Sequence, residues 1–578
     1  MLKKIRKLIP IVILSILLIA CLYFLRREAD EVFVLQVNCN GQYQTIDCWH
    51  EDGDLYYFFI PSHSKDNEIR FELLNNGSMY LDDTKLEEGM SVDNFEFNKE
   101  HILKHRNTII GKIVFMCGYN VPTIFISTES GSMKKLDNDI DYKESAKMSV
   151  LDIDGNVEYY DDIESISGRG NGSWKFDKKG YTLTLKEKDS ILGFRESDKF
   201  VLVSNHYDDT CGFRNMFAYN MAKSIGMEYT CDIKFVNVYF NNVYHGLYTL
   251  IEKIDYNEKI LDIGDLETEN IKANNGKLLD NANRISITRN GDLYYRYFEF
   301  DSPKNISGGY IIERNYGEKF YDKDSVFVTN NGEGFVIRVP SIANEEEVEY
   351  IQRKMQSIEN ALFSDDYIDL NTEKSFEELV DVDSFIQKYL VDEVTKNEGA
   401  GSTSNYFYKK INDEKIYSGP VWDYDKSLGN FENWISPKGL TLSKLHKLSP
   451  TLWYERMYQN EDCFNLIKNY YKTLVKPYCQ DTISHGFDGW KQTIENSFNM
   501  NYIRWKNSKN GNISEDLNVS TNYIENWLIE RLDYLDSVWC ENDWLFINKT
   551  RIDCYRFYNY FYSCNFCYIF SCDCYHWP

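Results

Sequence analysis

The sequence predicts an α+β fold, rich in strands at first and helical later. Two observations carry this expectation. As far as "SGGYIIERN" the apolar residues fall mostly in short alternating runs between Asn, Asp and Gly turns. Beyond Pro340 they recur at three- and four-residue steps, as on helices with one buried face. Composition agrees, because Tyr (44) and Phe (34) are abundant and Pro (10) is scarce, which suits strands and aromatic-lined pockets better than linkers. With 578 residues, 43% of them hydrophobic, the chain can bury two or three cores. A net charge of -26 argues against a basic field for nucleic acid, so no nucleic-acid partner is expected.

The first element is "MLKKIRKLIPIVILSILLIACLYFLRR", in which four cations precede a charge-free run from Leu8 to Leu25. Its length matches a bilayer core and the leading cations hold the N-terminus inside. Residues 1–30 are therefore expected to be a signal anchor, with the rest of the chain on the extracytoplasmic face. "LIAC" at Leu18 to Cys21 also fits a lipoprotein signal, which would anchor the chain by lipid. Residues 31–118, with runs such as "DLYYFFIPS" and "NEIRFELLN", read as a small all-β sandwich acting as a spacer.

"PTIFISTESGSM" and "AKMSVLDIDGNVEYY" continue the strands, with a turn at Asp154-Gly155. A calcium loop at Asp152, Asp154 and Asn156 would need a Gly and a terminal Glu that are missing. "GRGNGSWKFDKKGYTLTL", from Gly168, is a glycine-rich turn feeding a strand with cations, a form that can lay backbone N–H groups against phosphates. "GFRNMFAYNMAKSIGM" reads as an amphipathic helix, and "IKFVNVYFNNVYHGLYTLIEKI" as a hairpin turning at Asn241-Asn242. The acidic stretch from there to about Asp301 is poor in strand signals and reads as an insertion. "NEEEVEYIQRKMQSIENALF", "DSFIQKYLVDEVTKN" and "NYIENWLIERLDYLDSVW" are helices.

Fourteen cysteines in an exported chain can pair, and Cys39 with Cys48 and Cys211 with Cys231 are candidates by proximity. The tail at 541–578 breaks in composition from the rest, and its Cys-x-x-Cys, Cys-x-Cys and His576 lack the two well-spaced ligand pairs of a structural zinc site. "VWDYDKSLGN" places Asp423 and Asp425 two positions apart, an Asp-x-Asp that suits a hard cation, a nucleotide-sugar transferase or an acidic turn.

Seven stretches in order give these motifs a context: Arg169 to Trp174, Lys178 to Tyr181, "KFVLVSNHYD", "FRN" at Phe213 to Asn215, "NNVYHGLYTLIEKI", "GGYIIE" and Asp423 with its neighbours. Together, over roughly residues 120 to 540, they resemble the CotH family, the spore-coat-protein-H-like atypical protein kinases. The resemblance implies a kinase-like two-lobed fold over 119–540, with a β-rich nucleotide lobe and a helical lobe. It implies ATP as donor, Mg2+ or Mn2+ as metal, and Ser/Thr of surface or spore-coat-type proteins as acceptor. Carried over residue by residue, Arg169, Gly170, Asn171 and Ser173 would cover the phosphates and Lys179, or else Lys178, would supply the cation. Glu252 would sit at the adenine side or pair with a cation. Asp423 would bind metal with Asp425 beside it.

One departure bears on catalysis. The family's Lys-Asn-x-Asp becomes "TKNEG", so Gly399 stands where the catalytic carboxylate belongs. Glu398, beside Asn397, is the carboxylate that could replace it. The alternative is a catalytically impaired pseudokinase that binds other proteins at the cell surface. "KKGYTLT" also carries Gly180 and Thr184 where the family has a Pro and a Lys, which points to weaker nucleotide binding.

Overall fold

The computed structural model describes residues 33–540 apart from 40, 51–53, 75–77, 171, 278, 280, 316–319, 400, 402, 432–434 and 441–451. The N-terminal segment with Cys21, the C-terminal tail and Asn171 lie outside the described residues. Among those described, no helix is long and apolar enough to cross a membrane.

The described residues of 33–118 form two sheets and a 3-10 turn, Val92–Asn94. One sheet has three strands and the other six, with Leu55–Pro61 and Thr108–Gly118 running parallel at the centre of the larger. Their core of Phe33, Phe58, Phe71, Phe95 and Phe115 also takes in Phe125, Tyr239, Tyr244 and Met500 from later in the chain. Tyr239 donates its hydroxyl to the Phe59 carbonyl at 2.8 Å. The module thus shares a core with later segments of the chain instead of hanging as a spacer.

Seven strands then close a barrel: β1 (Thr123–Thr128), β2 (Lys143–Leu151), β3 (Val157–Arg169), β4 (Gly180–Asp189), β5 (Ser197–Val203), β6 (Ile233–Phe240) and β7 (Val243–Glu252). Neighbours are antiparallel except at the closure, where β1 runs parallel to β6 with Thr123 opposite Asn237. The β6–β7 hairpin turns at Asn241 and Asn242, both left-handed (φ 47° and 72°), which asparagine tolerates. The Asp154-Gly155 turn is also present, and Asp152 Oδ1 accepts from the N–H groups of Asp154 and Asn156. That carboxylate holds its own turn.

The acidic stretch before Asp301 is not strand-poor. It contains the helix Leu266–Ala273 and a hairpin, β8 (Asn283–Arg289) with β9 (Asp292–Glu299). These strands begin an antiparallel seven-stranded sheet completed by β10 (Tyr310–Arg314), β11 (Val326–Val328), β12 (Gly334–Val339), β13 (Asn405–Lys409) and β14 (Tyr417–Ser418), in the order β8-β9-β11-β12-β10-β13-β14.

Helices α1 (Phe213–Ser224), α2 (Glu345–Phe363) and α3 (Val382–Thr395) join this sheet in the largest core. Helix α1 is not amphipathic: Phe213 to Tyr219 are all buried, as are Met221 and Ala222. A helical run from Glu461 to Trp505, with π-turns at Tyr471–Val475 and Thr482–Gly486, ends in α4 (Phe487–Trp505), and α5 (Leu517–Trp539) packs against it. The whole is α+β, as expected. Cys39, Cys211 and Cys231 are thiols, so neither expected disulfide is present.

Candidate active site

The acidic pair lies on an arm, residues 421–430, between β14 and the helices. Val421, Tyr424 and Leu428 are buried, Asp423 is exposed and Asp425 is half-buried. Asp423 adopts a left-handed backbone (φ 67°), uncommon for a residue with a Cβ. The arm is pinned from several sides. Asn215 Oδ1 accepts from the Tyr424 N–H at 2.8 Å, and Arg214 Nε donates to the Ser427 carbonyl at 3.0 Å. The Leu428 N–H donates to the Thr395 carbonyl at 2.8 Å, at the end of α3. Asn430 Nδ2 donates to the carbonyls of Tyr207 (2.9 Å) and Asp425 (2.8 Å).

Arg214 and Asn215 are therefore the clamp of the arm, a role that sequence reasoning missed although "FRN" is one of the seven stretches. The available signal was a charged and an amide side chain in the first turn, directly ahead of the run Met216 to Tyr219. Arg214 is fully buried and paired with Asp208 and Asp209, while Thr210 donates its hydroxyl to Asp208 at 2.6 Å. Gly212 starts the helix at φ 123°, and a Cβ there would lie 2.9 Å from Asn205 and Thr249.

The Asp423 and Asp425 carboxyls are within hydrogen-bonding reach of each other. Burial, Asp423 and Asp208 together push the Asp425 carboxyl well above the usual carboxylate range. Two close carboxylates of this kind favour a shared proton or a bound cation. All donors here are oxygens, which suits hard divalent cations. Among the described residues, no group of three or more His, Cys, Asp and Glu side chains is arranged to hold a metal. The pair fits a cation of the Mg2+ type, which takes one or two carboxylates and completes its shell from water and substrate phosphates.

Arg169, the last residue of β3, lies over the Trp422 ring with its guanidinium carbon 5.5 Å from the centroid. Tyr219 and Tyr406, both pushed up by burial, also feel Asp423 raising and Arg169 lowering their hydroxyl pKa. Arg169 and Asp423 thus face the same patch. Gly170 follows at φ 111°, where a Cβ would lie 2.3 Å from Ser173 Oγ, so glycine is needed there. Ser173 opens the 3-10 turn Ser173–Lys175.

The lysines behave differently. Lys179 Nζ donates to the carbonyls of Trp174 (2.8 Å) and Phe176 (3.0 Å), bracing the glycine-rich turn from within. Lys178 is buried, donates to the Leu247 carbonyl and to Asn501 Oδ1, and burial lowers its pKa to about 7. Both ammonium groups thus bond within the barrel and its neighbours, while Arg169 at Trp422, Arg214 at Ser427 and Lys426 are cations that meet the arm. Glu252 is fully buried and paired with Arg195, the second of its two expected settings.

Helix α3 ends at Lys396, left-handed at φ 48°, and turns the next residues toward the arm. Asn397 is buried, and its Oδ1 accepts from the Gly399 N–H at 3.3 Å. The Glu398 N–H donates to the Lys426 carbonyl at 3.1 Å, and its carboxylate pairs with Lys426 Nζ at 2.9 Å. Burial works against the Lys426 ammonium, but Glu398 and Asp425 outweigh it and hold its pKa above the ordinary value. One lysine thus sits between the candidate base and the acidic pair.

Comparison with known proteins fits this layout. No curated protein matches the chain. The family described as CotH kinase protein matches residues 166–535, from the end of β3 through the arm to α5. That match spans well over half of the sequence, and the chain belongs to the CotH kinase family.

Proposed function

We propose that the protein transfers the γ-phosphoryl group of ATP to Ser or Thr of surface or spore-coat-type proteins, with the barrel as nucleotide lobe and the helical part as second lobe. The observation that supports this most is the pinned arm, which sets Asp423 and Asp425 beside Arg169 and against the loop carrying Glu398. In the reaction the acceptor hydroxyl oxygen bonds to the γ-phosphorus, the bond to the β–γ bridging oxygen breaks, ADP leaves, and the hydroxyl proton goes to a carboxylate. In this reading Glu398 takes that proton. Arg169 offsets phosphate charge, and the turn to which Gly170 and Ser173 belong covers the phosphates. A Mg2+ or Mn2+ ion held by Asp423 and Asp425 would neutralise charge on the phosphates. In this reading residues 1–30 attach the protein to a membrane, with the kinase domain on the extracytoplasmic face.

Gly399 favours a second reading, a pseudokinase that keeps the fold and binds a surface protein. Radiolabelled phosphate transfer from ATP by the purified protein, beside Asp423→Ala, separates the two. The kinase reading expects incorporation that Asp423→Ala abolishes. ATP binding without incorporation supports the pseudokinase.

A further inference from the structure

We infer that Asp392 is a positioning residue for the acidic arm, acting through Tyr424; the catalytic part of this inference rests on the kinase reading above. Tyr424 lies between the two acidic residues and is fully buried. Its hydroxyl donates to Asp392 Oδ1 at 2.6 Å and its N–H to Asn215 Oδ1 at 2.8 Å. Asp392, on α3, is itself held, because Oδ2 accepts from Lys388 Nζ at 2.6 Å and from the Tyr454 hydroxyl at 2.9 Å. The Lys388 ammonium also lies 5.8 Å from the Tyr424 ring centroid.

The geometry gives this contact a function that packing alone does not require. Tyr424 is the residue between Asp423 and Asp425, so the hydroxyl and N–H bonds that fix it also limit how far the backbone carrying the two carboxylates can move. Asp423 is held at φ 67°, a conformation that relaxes unless its surroundings enforce it. A hydroxyl bonded to an ionised carboxylate in a buried site is a strong, directional tether. Asp392 therefore sets the distance and direction of Asp423 and Asp425 without touching substrate.

Tyr424→Phe and Tyr454→Phe each remove one hydroxyl from Asp392 and keep the ring, but only the first residue belongs to the arm. On the whole protein, the readouts are amide hydrogen exchange of residues 421–430, Mn2+ binding by electron paramagnetic resonance, and steady-state transfer. Tyr424→Phe is expected to speed exchange in the arm, weaken Mn2+ binding and lower kcat by roughly tenfold or more, with KM for the acceptor protein unchanged. Tyr454→Phe is expected to change these three readouts by less than about twofold. Equal effects of the two variants on the arm, or unchanged arm exchange in Tyr424→Phe, would overturn the inference. If the wild type neither binds Mn2+ nor transfers phosphate, the kinase reading fails and Asp392 loses its catalytic role with it. The exchange comparison then shows whether the tether itself exists.

Discussion

At Gly399 a Cβ would meet the Thr403 carbonyl oxygen at 3.0 Å and its hydroxyl at 3.4 Å, and the backbone there is not left-handed. A side chain fits once Thr403 gives by a few tenths of an ångström. Gly399→Asp is therefore expected to fold and to raise phosphoryl transfer by about tenfold or more, since a positioned base contributes 10²–10⁴-fold. Single-turnover transfer would measure it. At Arg214, substitution by Leu would strand Asp208 without its buried partner. A loss of about 3–5 kcal/mol is expected, read as a lower urea midpoint. The sequence made Asp423 and Asp425 visible because their spacing is itself the motif. It could not separate Lys178 from Lys179, adjacent cations whose roles are decided by which one the barrel buries.

Among the elements, α2 starts with a capping box in which Asn344 and Glu347 bond each other's backbone N–H. Glu347 is fully buried, Asn270 donates to its Oε2 at 3.3 Å, and burial raises its pKa from 4.5 to about 7. The folded state thus holds this proton more tightly than the unfolded chain. The stability it contributes is full below about pH 4.5 and is lost as pH rises through 7. Glu347→Gln is expected to gain on the wild type as pH rises across this window, which paired thermal melts at pH 5 and pH 8 would show. The hairpin β8–β9 was hidden because most of β8 is exposed, so its apolar alternation is faint. Asn290-Gly291, the strongest short hairpin signal in that stretch, was the readable clue.

At the scale of the molecule, the order of seven short motifs was legible because the site draws on segments spread from Arg169 to Asn430. The closing of the barrel by parallel β1 and β6 was not, since no local pattern records a pairing across more than a hundred residues. The sharing of a core between residues 33–118 and the barrel was equally invisible. It predicts that removing residues 33–117 exposes Phe125, Tyr239, Tyr244 and Met500 and leaves a chain that limited proteolysis degrades faster than the intact protein.

Whether Glu398 does the work expected of the missing carboxylate, on a metal arm led by Asp423, is tested most directly by single-turnover transfer from radiolabelled ATP. The variants are Glu398→Gln, and Glu398→Gln combined with Gly399→Asp. A fall of roughly 10²-fold or more is expected in the first and recovery in the second. Transfer at the wild-type rate by Glu398→Gln would contradict the role of Glu398.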